Sequence, residues 1–306
     1  MSTPLRIIFM GTPEFAVPSL KSLVESNSNV VAVITVPDKP AGRGQKQTAS
    51  PVKLYAEAQG IPVLQPEKLK NPEFLEELRS YKADLQVVVA FRMLPEVVWS
   101  MPPKGTFNLH SSLLPQYRGA APINWAVING ETETGVTTFF IEKDIDTGKI
   151  IFQDKEPIHR EDDAGSLYER LMEKGARLVV KTVRAIEAGN YPQEPQEEPA
   201  EIRTAPKIFR ETCEIDWQKP ASAIHNFIRG LSPYPAAWTT LNGLSCKIFK
   251  SSIVEFEAND TPGQFRTDSK SYLYFKTGDG WLSIEVLQLE GKKRMEIGDF
   301  LRGNRL

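Results

Sequence analysis

Residues 5–36 read LRIIFMGTPEFAVPSLKSLVESNSNVVAVITV, and this stretch decides the fold. An apolar run at 5–10 stops at Gly11, and Pro13 then opens a pattern with Phe15, Leu20 and Leu23 at helical spacing. A second apolar run, VVAVITV at 30–36, is closed by Pro37. The pattern predicts strand, helix, strand, and it continues downstream. Ser50-Pro51 supplies a cap and a first-turn proline for a helix over 52–59. LQVVVA at 85–90 and TFNLH at 106–110 read as further strands. Near-continuous Val/Ile/Leu strands separated by helices predict a mostly parallel sheet covered on both faces. The expected fold class is therefore α/β, a Rossmann-like doubly wound sheet, whose ligands bind beyond the carboxyl ends of its strands.

The turn after the first strand is Gly11-Thr12-Pro13-Glu14, with no G-x-G-x-x-G, and its glutamate would repel a pyrophosphate. No G-x-x-x-x-G-K-[ST] occurs either. Further on, 164–189 has the period of a long amphipathic helix, and 190–206 (NYPQEPQEEPAEIRTAP) has the proline- and glutamate-rich composition of a linker. After it come short β-type runs at 244–249, 253–256, 271–275 and 281–289, divided by Gly, Asn and Asp. They predict a small β-barrel or sandwich, of which a barrel of OB type would suit nucleic acid. The expected division is 1–189, a linker at 190–206, and 207–306.

At 306 residues, 41% hydrophobic and 25% charged, the composition is that of an average globular protein. The longest apolar runs fall well short of the roughly 18 residues a membrane span needs. The N-terminus lacks the pattern of a secretory signal, so a cytoplasmic location is expected. Cys213 and Cys246 have no metal-ligand spacing and read as small buried hydrophobes. The net charge of −2 divides into +2 for residues 207–306 and −4 for the remainder.

The chemistry concentrates in 107–151, FNLHSSLLPQYRGAAPINWAVINGETETGVTTFFIEKDIDTGKII. Asn108 and His110 lie two apart at the carboxyl end of one strand, so their side chains share a face. Asp146, in the turn IDTG, follows a later strand and can return a carboxylate to the same place. The amide can donate to a developing oxyanion, the imidazole can exchange a proton, and the carboxylate can orient the imidazole. No Ser or Cys stands in a nucleophile elbow, which makes direct acyl transfer to an amine the simpler chemistry. The same residues also permit a bland reading: Asn108 satisfying turn backbone and His110 packed at a sheet edge. The segment 37–49 (PDKPAGRGQKQTA) carries Lys39, Arg43 and Lys46 and is long for a strand–helix connection. From composition and length alone it is either a solvated, flexible loop or a functional one.

Asn-x-His-x-Ser-Leu-Leu-Pro-x-x-Arg-Gly, followed by Asp-x-Gly on a later strand, resembles the signature of the folate-dependent formyltransferases. The resemblance runs on through MGTPEFAVPSL (10–20), PDKPAGRG (37–44), SPVK (50–53), RGAAPI (118–123), APKI (205–208), IRGLSPYPAAWT (228–239) and the closing KKRME…FLRG. It implies an enzyme that moves the formyl group of 10-formyltetrahydrofolate to an amine without a metal. Asn108, His110 and Asp146 would be the catalytic residues. Ser112, Leu113, Leu114 and Pro115 would form a wall beside the folate, and Phe91, Arg92, Met93 and Leu94 would cradle its pterin through backbone groups. The basic loop and the PYPAAW block resemble members that formylate initiator methionyl-tRNA. They imply contacts by Lys39, Arg43, Lys46 and Lys207, with the β-rich domain on the tRNA body and the protein acting as a monomer. A sugar-nucleotide amine is the rival acceptor within the family. Two positions depart from its pattern: Lys149 stands where an acid is common, and Phe91-Arg92 replaces Tyr-Gly.

Overall fold

The first strand, β1 (Arg6–Gly11), is buried on both faces, with Ile7, Ile8, Phe9 and Met10 all at 1% exposure or less. That uniform burial is the signature of a central parallel strand, because helices cover both sides of the sheet. In the computed structural model, residues 4–41, 46–197, 199–304 and 306 are described. Alternation continues through α1 (Val17–Glu25), β2 (Asn29–Ile34), the short ribbon strands β3 (Lys39–Ala41) and β4 (Lys46–Thr48), α2 (Pro51–Ala58) and β5 (Val63–Leu64). Ser50 caps α2 as expected, its Oγ accepting from the Lys53 N–H at 3.1 Å. Next come α3 (Pro72–Ser80), β6 (Leu85–Val89), α4 (Glu96–Trp99), β7 (Thr106–His110), β8 (Arg118–Gly119), α5 (Pro122–Ile128), β9 (Glu133–Phe140), β10 (Ile150–Pro157) and α6 (Ala164–Ala188).

Seven of these strands form one sheet in the order β10-β9-β7-β6-β1-β2-β5. From β7 to β5 all pairs are parallel, and β9 turns back antiparallel against β7. The chain winds outward from β1 through β2 to β5, then returns to the other side of β1 with β6. The topological switch therefore lies between β1 and β6, where open α/β sheets form their ligand crevice. On one face Ile8, Met10, Ile34, Leu64, Phe74, Leu78, Val88 and Val98 make a continuous core.

The remaining elements are β11 (Thr204–Ala205), α7 (Ala221–Leu231), β12 (Ala237–Leu241), β13 (Leu244–Val254), β14 (Phe265–Thr267), β15 (Leu273–Lys276), β16 (Trp281–Leu289), β17 (Met295–Glu296) and α8 (Ile297–Gly303). Here the sheet is antiparallel, in the order β12-β13-β16-β15-β14 with β17 on β16, and it curls into a half-barrel consistent with the OB-like expectation. One detail is corrected. The runs at 244–249 and 253–256 are not separate strands: β13 continues to Val254 against β16, and register shifts around Ile248–Ser251 absorb the break in the apolar pattern. Inside the curl, Ile224, Ile228 and Leu231 of α7 pack with Ile248, Leu282, Ile284 and Leu287. Trp217 stacks on Phe275 at 4.4 Å and donates its indole N–H to Thr239 Oγ1. Cys213 and Cys246 are buried in this core, and burial pushes the Cys246 thiol up to about 12.

Contacts divide the chain into two compact units. The first holds residues 1–118, 134–156 and 169–203, and the second holds 119–133, 157–168 and 204–306. Among the described residues no helix is long and apolar enough to cross a membrane.

Candidate active site

β7 carries Asn108 and His110 at its carboxyl end, between β6 and β9, with Asn108 opposite Val88 and Phe139 and His110 opposite Thr137. Phe107 and Leu109 are buried on the other face, so alternation puts both polar side chains on the same side of the sheet. Asn108 is half-buried and His110 is buried. The His110 Nε2 atom lies 2.8 Å from the carbonyl oxygen of Tyr117. A carbonyl can only accept, so Nε2 is the protonated nitrogen and Nδ1 is the one that turns toward Asp146. Asp146 Oδ2 is 3.9 Å from Nδ1, within ion-pair range but longer than a direct hydrogen bond. Both residues that address the imidazole have left-handed backbones, Tyr117 at φ 60° and Asp146 at φ 56°. Conformations this rare in non-glycine residues persist only where the surroundings enforce them, and they gather at functional sites.

The turn that presents Asp146 has its own requirement. A Cβ on Gly148 would fall 1.7 Å from the Phe140 carbonyl oxygen, so only glycine lets the chain fold back there. From outside the turn, Gln196 Nε2 donates to the carbonyls of both Asp146 and Gly148 at 2.8 Å.

The segment after β7 is held as tightly. Ser112 Oγ donates to the Gln116 carbonyl at 2.6 Å, and the Leu114 N–H donates to Thr137 Oγ1 at 3.2 Å. The Thr137 hydroxyl in turn donates to the Ser112 carbonyl at 2.6 Å. Gln153 Nε2 reaches both the Leu114 carbonyl at 2.9 Å and Thr137 Oγ1 at 3.0 Å. Thr137 thus uses its one donor and both lone pairs. Leu114 is buried while Leu113 and Pro115 are half-buried, leaving an apolar strip beside His110.

Residues 91–94 follow the carboxyl end of β6, next to the switch point. Met93 is exposed, Leu94 belongs to the core, and Phe91 and Arg92 are half-buried. The Arg92 guanidinium donates to the carbonyls of Pro66 and Glu67 and lies 5.6 Å over the Phe91 ring. Its charge is therefore spent on tying this segment to residues 66–67, and partial burial pulls its pKa below the usual arginine range.

The basic residues are distributed differently. Lys39 is exposed on β3, which pairs with β4 through Lys39↔Thr48 and Ala41↔Lys46. Arg43 lies outside the described residues, and the Lys46 side chain is likewise undescribed. At the root of this ribbon, Asp38 accepts from Lys53 Nζ at 2.6 Å and from Gln65 Nε2 at 2.8 Å. Lys53 and then Gln65 hold its carboxyl below the ordinary carboxylate range. Lys207 belongs to the second unit, exposed, with Nζ 5.3 Å over the Phe209 ring. It borders a cavity of 620 Å³ that Arg210, Lys247, Tyr234 and Trp238 also line. Among the described residues no group of three or more His, Cys, Asp or Glu side chains is placed to hold a metal ion.

Sequence reasoning missed Thr137, Gln153, Gln196 and Arg118 as members of this arrangement. In the β9 sequence ETGVTTFF, Thr137 is one of three threonines and no signal singles it out. The glutamines carry none.

Two family models match the chain: "Formyl transferase" over residues 5–183 and "Formyl transferase, C-terminal domain" over residues 207–305. A methionyl-tRNA formyltransferase of Parabacteroides distasonis is 59% identical, covering 98% of this chain and 95% of its own. One from Bacteroides fragilis is 56% identical at the same coverage. The fold is also similar to that of an N-formyltransferase from Helicobacter canadensis, solved in complex with folinic acid and dTDP-3-aminofucose. The TM-score there is 0.67 at 24% identity, over 92% of this chain and 98% of that one. With both domain models matched and more than half of all positions shared with these relatives, the chain belongs to the formyl transferase family, within the methionyl-tRNA formyltransferases.

Proposed function

We propose that this chain transfers the formyl group of 10-formyltetrahydrofolate to the amino group of methionyl-initiator tRNA. The product is formylmethionyl-tRNA for translation initiation, made in the cytoplasm by a monomer. The observation that carries the reading is the seat of His110. Its Nε2 is committed to a backbone carbonyl and its Nδ1 is turned toward Asp146, two residues from Asn108 on the same strand face.

Bound folate supplies an activated formyl carbon, and the methionyl amine attacks it. In our reading, the Asn108 side-chain amide donates to the formyl oxygen as it gains charge. His110 exchanges a proton at Nδ1, taking it from the attacking amine and returning it to the departing folate nitrogen. The Asp146 carboxylate, which faces Nδ1, stabilises the imidazolium that forms when Nδ1 takes that proton. The new N–C bond forms as the bond from the formyl carbon to the folate nitrogen breaks, so no covalent enzyme intermediate is needed. The strip of Ser112, Leu113, Leu114 and Pro115 and the segment Phe91, Arg92, Met93 and Leu94 flank the donor. Lys39, Arg43, Lys46 and Lys207 are assigned to the phosphate backbone of the tRNA, where they supply salt-dependent affinity.

The test is formyl transfer to charged initiator methionyl-tRNA, run beside elongator methionyl-tRNA and an amino-sugar nucleotide. Strong preference for the initiator is expected, and transfer to the sugar nucleotide alone would overturn the acceptor assignment. In the same assay Asn108→Ala is expected to lower kcat by about 10²–10³-fold, the usual loss for an oxyanion donor. An undiminished rate would remove Asn108 from the chemistry.

A further inference from the structure

Asp146 sits in the turn between β9 and β10 with a left-handed backbone, φ 56°. The proline- and glutamate-rich stretch that follows α6 packs against this turn from outside it. Glu194 and Ile150 exchange backbone hydrogen bonds at 2.8 and 3.0 Å, just past the turn. The Tyr191 ring meets Phe140, just before the turn, at 5.8 Å. Between these clips Gln196 reaches onto the turn itself and brackets Thr147 by bonding the carbonyls on either side of it. Its Oε1 accepts from Arg118 Nε at 3.2 Å and from Nη2 at 2.6 Å. Carbonyls only accept and a guanidinium only donates, so the amide has one possible orientation, and all its hydrogen-bonding capacity is used.

We propose that Gln196, oriented by Arg118, is a positioning residue for Asp146, setting where its carboxylate stands relative to His110. Neither side chain touches a reacting atom in this assignment; both act through the backbone of the 146–148 turn. The inference rests on the reading of Asp146 as catalytic. Its physical basis is that a shift of about 1 Å in a catalytic group can cost on the order of 10²-fold in rate. Gln196 donates to both the Asp146 and the Gly148 carbonyl from outside the turn.

The experiment uses the full chain with Gln196→Met, close in size but without the amide, and Arg118→Met as a second variant. Single-turnover formyl transfer is measured together with KM for both substrates and the thermal midpoint. Gln196→Met is expected to lower the transfer rate by about 10–100-fold, with both KM values within about twofold and the melt unchanged. Arg118→Met is expected to move the same parameter less, and the double variant to be no worse than Gln196→Met alone. In an Asp146→Asn background, Gln196→Met is expected to add nothing. Three results would overturn the proposal on its own: a wild-type rate for Gln196→Met while Asp146→Asn is impaired, an equal further loss in the Asp146→Asn background, or a loss confined to KM. A normal rate for Asp146→Asn would instead remove the catalytic reading, and the proposal with it.

Discussion

A buried threonine hydroxyl, Thr137, shows how single residues support this site. It is fully buried, accepts from the Leu114 N–H and Gln153, and donates to the Ser112 carbonyl. Thr137→Val keeps the shape but strands a buried N–H and a buried carbonyl. The expected cost is about 1–3 kcal/mol of stability, read from denaturant unfolding. A variant as stable as the parent would mean that the segment after β7 finds other partners. His225 is a second residue whose surroundings have a measurable consequence. Burial, followed by the charge of Arg229, lowers its pKa, while Glu285 and the bond to Ser251 act the other way. The folded protein thus binds the proton less readily than the unfolded chain does. The neutral ring's contribution is complete above the unfolded value of about 6.5 and is lost as pH falls through that region. Acid unfolding of the parent should therefore begin at higher pH than that of His225→Gln, followed by thermal melts between pH 5 and 8. Coincident pH curves would exclude the effect.

Among the elements, α5 and α7 pack closely against each other. Gly230 is the contact: a Cβ there would lie 2.5 Å from Ile128 Cγ1, 2.8 Å from the Ile128 backbone nitrogen and 3.1 Å from the Asn124 carbonyl. Asn124 Nδ2 also donates to the Gly230 carbonyl at 2.8 Å. Two of those neighbours are backbone and cannot rotate away. Gly230→Ala is expected to destabilise by about 1–3 kcal/mol despite its better helix propensity, because overpacking outweighs the backbone entropy gained. A thermal midpoint at or above that of the parent would show that α5 can move aside. β7 teaches the complementary lesson. Its residues divide by alternation, Phe107 and Leu109 on the core face and Asn108 and His110 on the other, so core and candidate site share one element without competing.

At the scale of the molecule, a parallel sheet places the carboxyl ends of β1, β6 and β7 on one edge. That edge is where the segments 91–94 and 110–115 emerge. The antiparallel return of β9 brings Thr137 opposite His110 and leads, through the turn at 141–149, to Asp146. The second unit has its own core and its own cavity among Lys207, Arg210 and Lys247. Under the proposed function, raising ionic strength should weaken acceptor binding steeply while leaving folate binding nearly unchanged.

The sheet strands at 5–10, 30–36, 85–90 and 106–110, the cap on α2, the long α6 and the shared face of Asn108 and His110 were legible in the sequence. Each rests on local periodicity or on spacing of a few residues, which a linear pattern preserves. The family signature likewise lies in contiguous blocks. The supports of the site were not legible, since Gln196 meets Asp146 across 50 residues and Arg118 across 78. A polar side chain whose partner is distant leaves no period behind, and its composition there imitates a linker. The break within β13 misled for a related reason: register shifts disturb the alternation while the ladder with β16 continues. Local chemistry chose the elements and the residues that line the candidate site. Long-range hydrogen bonding, which only a closed fold can satisfy, set the distances between them.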